Sequence, residues 1–373
     1  AVDGTRRALG AIGRGWRVGF DGLVIAVTGS NGKTTVKEAI AAILRVDGEV
    51  LATRGNLNND IGLPLMLCEL DPRRHEAAVF ELGSNHPGEI SELARLCRPA
   101  IGVVTNSDAA HLEGFGTQAA VAAGNAELYA ELPRDGSAVL PVADPFVDTY
   151  RAASTAGRSI DYAADADATV RVRPAESGIA IDWPGASRRC AFALPGAHNR
   201  HNAAAAAATA LAAGRDLDSV ATGLAALGPV AGRLVRRTGI AGATLLDDTY
   251  NANPGSFRAA LAVLGEAHGH RWAVVGEMGE LGQDALAAHR DLGHAAREAG
   301  VERLWAYGPS AEATREGFGP EAEVVTEPDA LAQRLAGELG PGVCLLVKGS
   351  RSNRLERVVD ALLAGAEEGR DAV

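Results

Sequence analysis

The sequence predicts an α/β protein of two units, each a mostly parallel β-sheet covered by helices. Three observations carry that expectation. Short apolar runs alternate with longer helical patterns. A glycine-bearing turn, "TGSNGKTT", joins a run of the first kind to a pattern of the second. The alternation then restarts after "LGPVAGR". Strands separated by helices pair in parallel and are buried on both faces, which is why they read as continuous apolar runs.

In chain order, residues 1–20 ("AVDGTRRALGAIGRGWRVG" and Phe20) lack the apolar core of a signal peptide and read as a short helix and linker. "LVIAVTG" is a strand and "KTTVKEAIAAILRV" a helix. "AAVFELG" and "IGVVTN" are strands, and "SELARLC" and "TQAAVAAGNAELYAEL" are helices. From about Asp161 to Ala193 the pattern shortens to alternating segments ("ATVRVRP", "GIAIDW", "RRCAFAL"), expected as antiparallel strands added to the sheet. "HNAAAAAATALAAG" is a strong helix former, read as a helix packed closely on a sheet. The Gly and Pro of "LGPVAGR" mark a boundary near Gly228–Val230, so the central domain is expected at 21–228 and the C-terminal one at 229–373. The second rhythm runs "ATLLDDT", "SFRAALAVLGEA", "RWAVVGE", "ALAAHRDLGHAAREAG", "RLWAYG", "ALAQRLAGEL", "VCLLVKG" and "RLERVVDALLAG".

Composition narrows the class. The chain has 373 residues, 47% apolar and 22% charged, as in a soluble globular protein. A net charge of −11 argues against nucleic acid or an anionic membrane as a general partner. No apolar run reaches the ~20 residues of a membrane span. The four cysteines, Cys68, Cys97, Cys190 and Cys344, form no C-x-x-C pair, which suits a reducing cytoplasm and argues against a disulfide framework.

The turn "GSNGKTT" carries the clearest chemistry. Gly29 and Gly32 let backbone N–H groups approach an oxyanion, and the following helix adds its positive end. Lys33 would neutralise outer phosphates and the Thr34 hydroxyl would meet Mg²⁺. The full phosphate-loop pattern wants glycine at 27, where the chain has Val27. Glu81, Asn106 and His111 all follow strands and so fall at the ligand-binding edge of the sheet. Singly, each reads as a helix cap or an exposed loop residue; together they could surround Mg²⁺. In the second unit, "LLDDTYNANPGS" follows a strand, Arg233 lies upstream, and Lys348, Arg351 and Arg354 follow "LLV". These cations suit a phosphoryl group or a substrate carboxylate, the bland alternative being a solvated basic turn.

The ordered motifs "TGSNGKTTVKEAI", "GNLNNDIGLPL", "ELGSNHPGEI", "AHLEGFG", "GAHNRHNAAAA", "GRL", "DDTYNANPGS", "VVGEMGELG" and "LVKGSRS" resemble those of the Mur ligase family, from about residue 23 to 363. That family's loop also lacks the first glycine. The resemblance implies a central P-loop ATPase domain, a C-terminal Rossmann-like domain that closes over it, and amide-bond formation through an acyl phosphate. It implies ATP and Mg²⁺ as cofactors, with a carboxylate and an amine (an amino acid or dipeptide) as small-molecule substrates. Gly29, Ser30, Asn31, Gly32, Lys33, Thr34 and Thr35 would hold the phosphates. Thr34 and Glu81 would bind one Mg²⁺ and His111 a second. Asn199 would meet adenine, Arg233 the γ-phosphate, and Asp248 and Tyr250 the nucleoside. Asn56, Asn58 and Asn59 would lie by the acyl substrate, and Asn251, Asn253, Lys348 and Arg351 toward the amine.

Two departures stand out. The family's carbamylated lysine falls at Asn125, which is neutral, and no lysine occurs between residues 46 and 150. The second metal site is therefore expected to be weaker or differently built. The family's N-terminal UDP-sugar domain has no counterpart in the twenty residues before the first central strand. Either it was removed, or the protein uses no UDP-linked substrate and works as a monomer or with a separate partner domain. The leading expectation is a divergent ligase making a small peptide-like metabolite. The alternatives are D-alanyl-D-alanine addition in peptidoglycan synthesis, a catalytically weak nucleotide-binding partner protein, and a P-loop kinase or nucleotide hydrolase.

Overall fold

The computed structural model describes residues 4–109 and 112–371, with side chains described as far as residue 363. The chain divides into two compact units, Ala1–Ala193 with Ala197–Gly228, and Leu194–Gly196 with Pro229–Val373.

Unit 1 holds strands β1 (Leu23–Thr28), β2 (Val50–Ala52), β3 (Ala77–Glu81), β4 (Ile101–Val104), β5 (Ser137–Pro141), β6 (Arg158–Ala163), β7 (Val170–Ala175), β8 (Gly178–Trp183) and β9 (Ala186–Cys190). They form one sheet in the order β2-β3-β1-β4-β5-β6-β7-β8-β9. Pairing is parallel from β2 to β7, and β8 and β9 are added antiparallel; of the three segments expected as antiparallel additions, β7 instead joins β6 in parallel and meets only β8 antiparallel. Strand β1 lies between β3 and β4: the chain runs from β1 to β2 and β3 on one side, then crosses to β4 on the other. Such a switch point opens a crevice at the carboxyl ends of the strands.

The helices of unit 1 are α1 (Thr5–Val18), α2 (Lys33–Leu44), α3 (Gly62–Leu67), α4 (Glu89–Cys97), α5 (Leu112–Phe115), α6 (Gln118–Ala130), α7 (Val147–Ala153), α8 (Ala197–Ala212) and α9 (Leu217–Ala226). Helix α1 packs on α3 and α4, where Trp16 Nε1 donates to the Leu70 carbonyl at 2.8 Å and Arg17 Nε to that of Cys97 at 2.7 Å. The alanines 203–208 of α8 are all buried against α2, β6 and β7, their small side chains allowing close approach to the sheet.

Unit 2 holds β10 (Val235–Thr238), β11 (Thr244–Asp248), β12 (His270–Val275), β13 (Arg303–Tyr307), β14 (Ala322–Val325) and β15 (Val343–Lys348), ordered β10-β11-β15-β12-β13-β14. All neighbours are parallel except β10 and β11. Helices α10 (Pro254–Gly265), α11 (Ala285–Glu298), α12 (Ala311–Phe318), α13 (Pro328–Glu338) and α14 (Glu356–Asp371) connect them. Two apolar cores form in this unit, one around Leu246, Phe257 and Leu304 and one around Leu345, Trp305 and Val358. Both faces of the sheet are therefore covered.

Candidate active site

In unit 1, β1 ends at Thr28 and α2 begins at Lys33, leaving four residues to turn the chain. Two of them must be glycine. Gly29 has φ 131°, and a Cβ there would lie 2.1 Å from Thr105 Oγ1. Gly32 has φ 81°, and its Cβ would meet Asn202 Oδ1 at 2.3 Å. Lys33 Nζ curls back to donate to the Gly29 carbonyl at 2.5 Å, which holds the ammonium over the turn. Thr34 is half-buried at the helix start, whereas Thr35 is buried.

The segment after β4 is stitched to this turn. Asn106 accepts at its carbonyl from Ser30 N (2.9 Å) and at Oδ1 from Asn31 N (3.1 Å), and its Nδ2 donates to the Asn31 carbonyl (3.1 Å). Thr105 Oγ1 donates to the same carbonyl at 2.6 Å. Asp108 accepts from Ser30 Oγ at its carbonyl and donates to it from its N–H, and its Oδ2 accepts from Asn31 Nδ2 at 3.3 Å. Asn106 is thus engaged with the turn at both amide atoms, which leaves it a poor magnesium ligand. His111 lies outside the described residues.

Glu81 ends β3 beside Val27 of β1 and is buried. Its N–H donates to Thr53 Oγ1 and its Oε1 accepts from Asn58 Nδ2, each at 2.9 Å. Its Oε2 is buried with no hydrogen-bond partner among the described residues. A buried carboxylate oxygen without a donor is costly, and a divalent cation would satisfy it. No cluster of three or more His, Cys, Asp or Glu occurs among the described residues. Mg²⁺ keeps several waters and uses one or two protein carboxylates, of which Glu81 with its buried Oε2 can supply one. Of the three asparagines expected at the acyl substrate, Asn58 holds Glu81. Asn59 Oδ1 accepts from Ile61 and Gly62 N–H at the start of α3, and Asn56 is exposed.

Asn125 is 4% exposed on α6, with Nδ2 donating to Ser107 Oγ at 2.7 Å and Oδ1 accepting from Thr28 Oγ1 at 3.3 Å. Ser107 also accepts from Tyr150 OH at 2.7 Å and donates from its N–H to Asp144 Oδ2 at 2.8 Å. The position expected to carry an anionic ligand is therefore held by neutral hydroxyls in a buried network that ends on the Asp144 carboxylate. Asn199 is also buried, and its Oδ1 accepts from Asn202 Nδ2 at 3.1 Å. His201 donates from Nε2 to the Thr105 carbonyl at 3.0 Å and tilts against Tyr162. Burial pushes its imidazole below the usual histidine range. Asn202, His201, Thr105 and Ser107 were not picked out by the motif reading. The doubled His-Asn pair in "GAHNRHN" is the signal that points to the first two.

In unit 2, Lys348 ends β15 and is buried. Its Nζ lies 2.7 Å from Asp248 Oδ2 and donates to the Asn251 carbonyl at 2.9 Å. Burial lowers its pKa, and Asp248 opposes that shift. Asp248 Oδ1 accepts from Leu234 N–H at 3.2 Å. The Arg233 guanidinium lies 4.1 Å from the Tyr250 ring centroid, a stacking that orients both side chains. Asn253 caps α10 in a reciprocal pair with Ser256, so its side chain serves the helix. Arg351 is exposed and pairs with Glu356 at 3.2 Å. Of the expected basic turn, then, Arg351 is solvated and Lys348 is not. Lys33, Lys37 and Lys348 are the chain's only lysines, and each ammonium donates to a main-chain carbonyl. Lys37 is buried and reaches that of Thr53 at 2.6 Å.

Residues 27–210 match the Mur ligase middle domain, and residues 232–351 match the "Mur ligase, glutamate ligase domain". The chain is 41% identical, over 97% of its length and 81% of the relative's, to UDP-N-acetylmuramoyl-tripeptide–D-alanyl-D-alanine ligase of Escherichia coli (strain K12). The chain belongs to the Mur ligase family. It is an ATP-dependent, amide-bond-forming ligase. Among solved structures, MurF from Acinetobacter baumannii superposes with a TM-score of 0.90 at 34% identity, covering 97% of this chain and 81% of that one. MurF ligase from Thermotoga maritima in complex with ADP gives 0.87 at 26% identity, covering 98% and 85%. The expected fold class, a Mur ligase central domain followed by a C-terminal α/β domain, is borne out. No helix among the described residues is long and apolar enough to cross a membrane.

Proposed function

We propose that this Mur ligase joins the carboxylate of a UDP-N-acetylmuramoyl-tripeptide to the amine of D-alanyl-D-alanine in the cytoplasm. The names of its relatives favour this reading over a divergent ligase making a small metabolite. The observation that carries the chemistry is the pairing, within unit 1, of the glycine turn capped by Lys33 with the unsatisfied Oε2 of Glu81.

The Gly32 end of the turn and the first turn of α2 bind the triphosphate tail, and Lys33 offsets its charge. Thr34 and Glu81 hold Mg²⁺, with His111 assigned to a second ion. When bound, the metal supplies a charge that lessens repulsion between carboxylate and γ-phosphate. A carboxylate oxygen of the acyl substrate attacks the γ-phosphorus, and the bond to ADP breaks. The amine nitrogen then attacks the acyl carbon, a tetrahedral intermediate forms, and phosphate leaves as the amine loses its proton. Phosphorylation is needed because a carboxylate is a poor electrophile with no good leaving group. Arg233 is assigned the γ-phosphate, Asn199 adenine, and Asp248 and Tyr250 the nucleoside. The amine substrate falls to Asn251 and the 348–351 turn.

The purified protein is incubated with ATP, Mg²⁺, UDP-N-acetylmuramoyl-tripeptide and D-alanyl-D-alanine, alongside a panel of other amino acids and dipeptides. The expected result is ADP release that requires both substrates, with a product of the amide's mass. Lys33→Ala should lower turnover by at least ~100-fold, and chelation of Mg²⁺ should abolish it. A stable phosphorylated acid without an amine would mean a kinase. Nucleotide binding with no turnover would mean a partner protein. Near-normal rates in Lys33→Ala would overturn the site.

A further inference from the structure

The turn between β1 and α2 is intrinsically loose, since two of its four residues are glycines with wide backbone freedom. An anion site built from such a turn works only if its peptide groups are already oriented, because ordering them on binding subtracts from affinity. The sequence segment 105–108 does that ordering from outside. Its grip falls on three consecutive peptide units, 29–30, 30–31 and 31–32. The N–H groups of Ser30 and Asn31 are both taken by Asn106, at 2.9 and 3.1 Å, and the Asn31 carbonyl is taken by Asn106 Nδ2 and Thr105 Oγ1. The first half of the turn is therefore engaged with the protein itself. An incoming phosphate is met by the helix end that begins at Gly32.

The residue type is informative. A side-chain amide offers an acceptor to one N–H and a donor to one carbonyl, and here both belong to the same residue, Asn31. Aspartate would keep the acceptor, lose the donor and place a negative charge beside a phosphate site. Leucine would keep the volume and lose both bonds. Thr105 completes the grip: its Oγ1 packs where a side chain at Gly29 would stand. Asp108 holds the Ser30 hydroxyl and the Asn31 amide, which fixes the two side chains that flank the held peptide units.

We propose that Asn106, supported by Thr105 and Asp108, is a positioning residue for triphosphate binding. It acts through the Ser30–Asn31 backbone and not by touching nucleotide or metal. This rests on the reading that the 29–35 turn binds the phosphates. The test compares ADP with adenosine, each with Mg²⁺, by calorimetric titration of the full chain, because only ADP engages the turn. In Asn106→Leu, ADP affinity should fall about tenfold, the scale of one or two lost buried hydrogen bonds, with adenosine affinity within about twofold of wild type. Asn106→Asp should also lose ADP affinity selectively, and it serves if the leucine variant does not fold. A parallel fall for both ligands, as from general unfolding, would overturn the proposal, and so would unchanged ADP affinity. If the wild-type protein itself binds ADP and adenosine alike, the phosphate-turn assignment falls first and this inference with it.

Discussion

Lys348 and Asp248 form a buried ion pair, 2.7 Å between Nζ and Oδ2, at the carboxyl ends of adjacent parallel strands. Removing one charge from such a pair strands the other. Lys348→Met should therefore cost about 3–5 kcal/mol, read as a lowered urea midpoint. Lys348→Met combined with Asp248→Asn keeps an acceptor for Leu234 N–H and removes the stranded carboxylate, so it should recover a large part of that loss. A double variant no more stable than the single would show that the cost lies elsewhere.

Asn125 bridges two hydroxyls in a buried site, so the position is built for a neutral amide. Asn125→Ala should cost about 1–3 kcal/mol, for two buried hydrogen bonds lost and the space left by the amide. Asn125→Lys should cost more, since a larger ammonium would be buried with no carboxylate in direct contact at the present position. Chemical denaturation ranks the two. A side-chain amide does not react with CO₂, so wild-type ligase activity should be unchanged when bicarbonate is stripped from the buffer. A rate that falls on stripping would show that a carbamate forms elsewhere.

His201 supplies a pH dependence. Its folded-state pKa lies below the ordinary value near 6.5, chiefly through burial. As pH falls through 6.5 the unfolded chain takes up this proton first, so stability declines with acid until the folded-state pKa is passed and then levels off. His201→Gln retains a donor for the Thr105 carbonyl without titrating. Stability of the two proteins measured from pH 8 to 5 should diverge below about 6.5, with the wild type losing more. Parallel curves would remove His201 from the acid response.

Much of the fold was legible because it is written in long, periodic or strongly typed segments. The run "LVIAVTG" followed by "KTTVKEAIAAILRV" marks β1, the turn and α2, and "SELARLC" and "HNAAAAAATALAAG" mark α4 and α8. Among the elements missed, which include β6 and α9 of ordinary length, several are short or interrupted. Strand β2 has only three residues, α3 holds Gly62 and Pro64, and α12 carries Gly317 beside its last residue. Such pieces have too few residues for a period to show. They form because neighbours already in place bury them.

At the candidate site the same division holds. Glu81 and Asn106 were found from their place after apolar runs, but opposite roles could not be read from that place. Tertiary packing leaves Glu81 Oε2 without a donor among the described residues and gives both amide atoms of Asn106 to the turn. Asn253, expected toward the amine substrate, also caps α10, a role that requires knowing where α10 begins.

By itself the sequence determined the architecture, the family and the glycine turn between β1 and α2, because glycine, lysine and threonine at fixed spacing between a strand and a helix state local backbone geometry. Only the tertiary structure decided which polar side chains are held by the protein and which are left for a ligand. That depends on partners brought together from distant segments, as Asn31 with Asn106 and Lys348 with Asp248, and on the water that burial takes away from them.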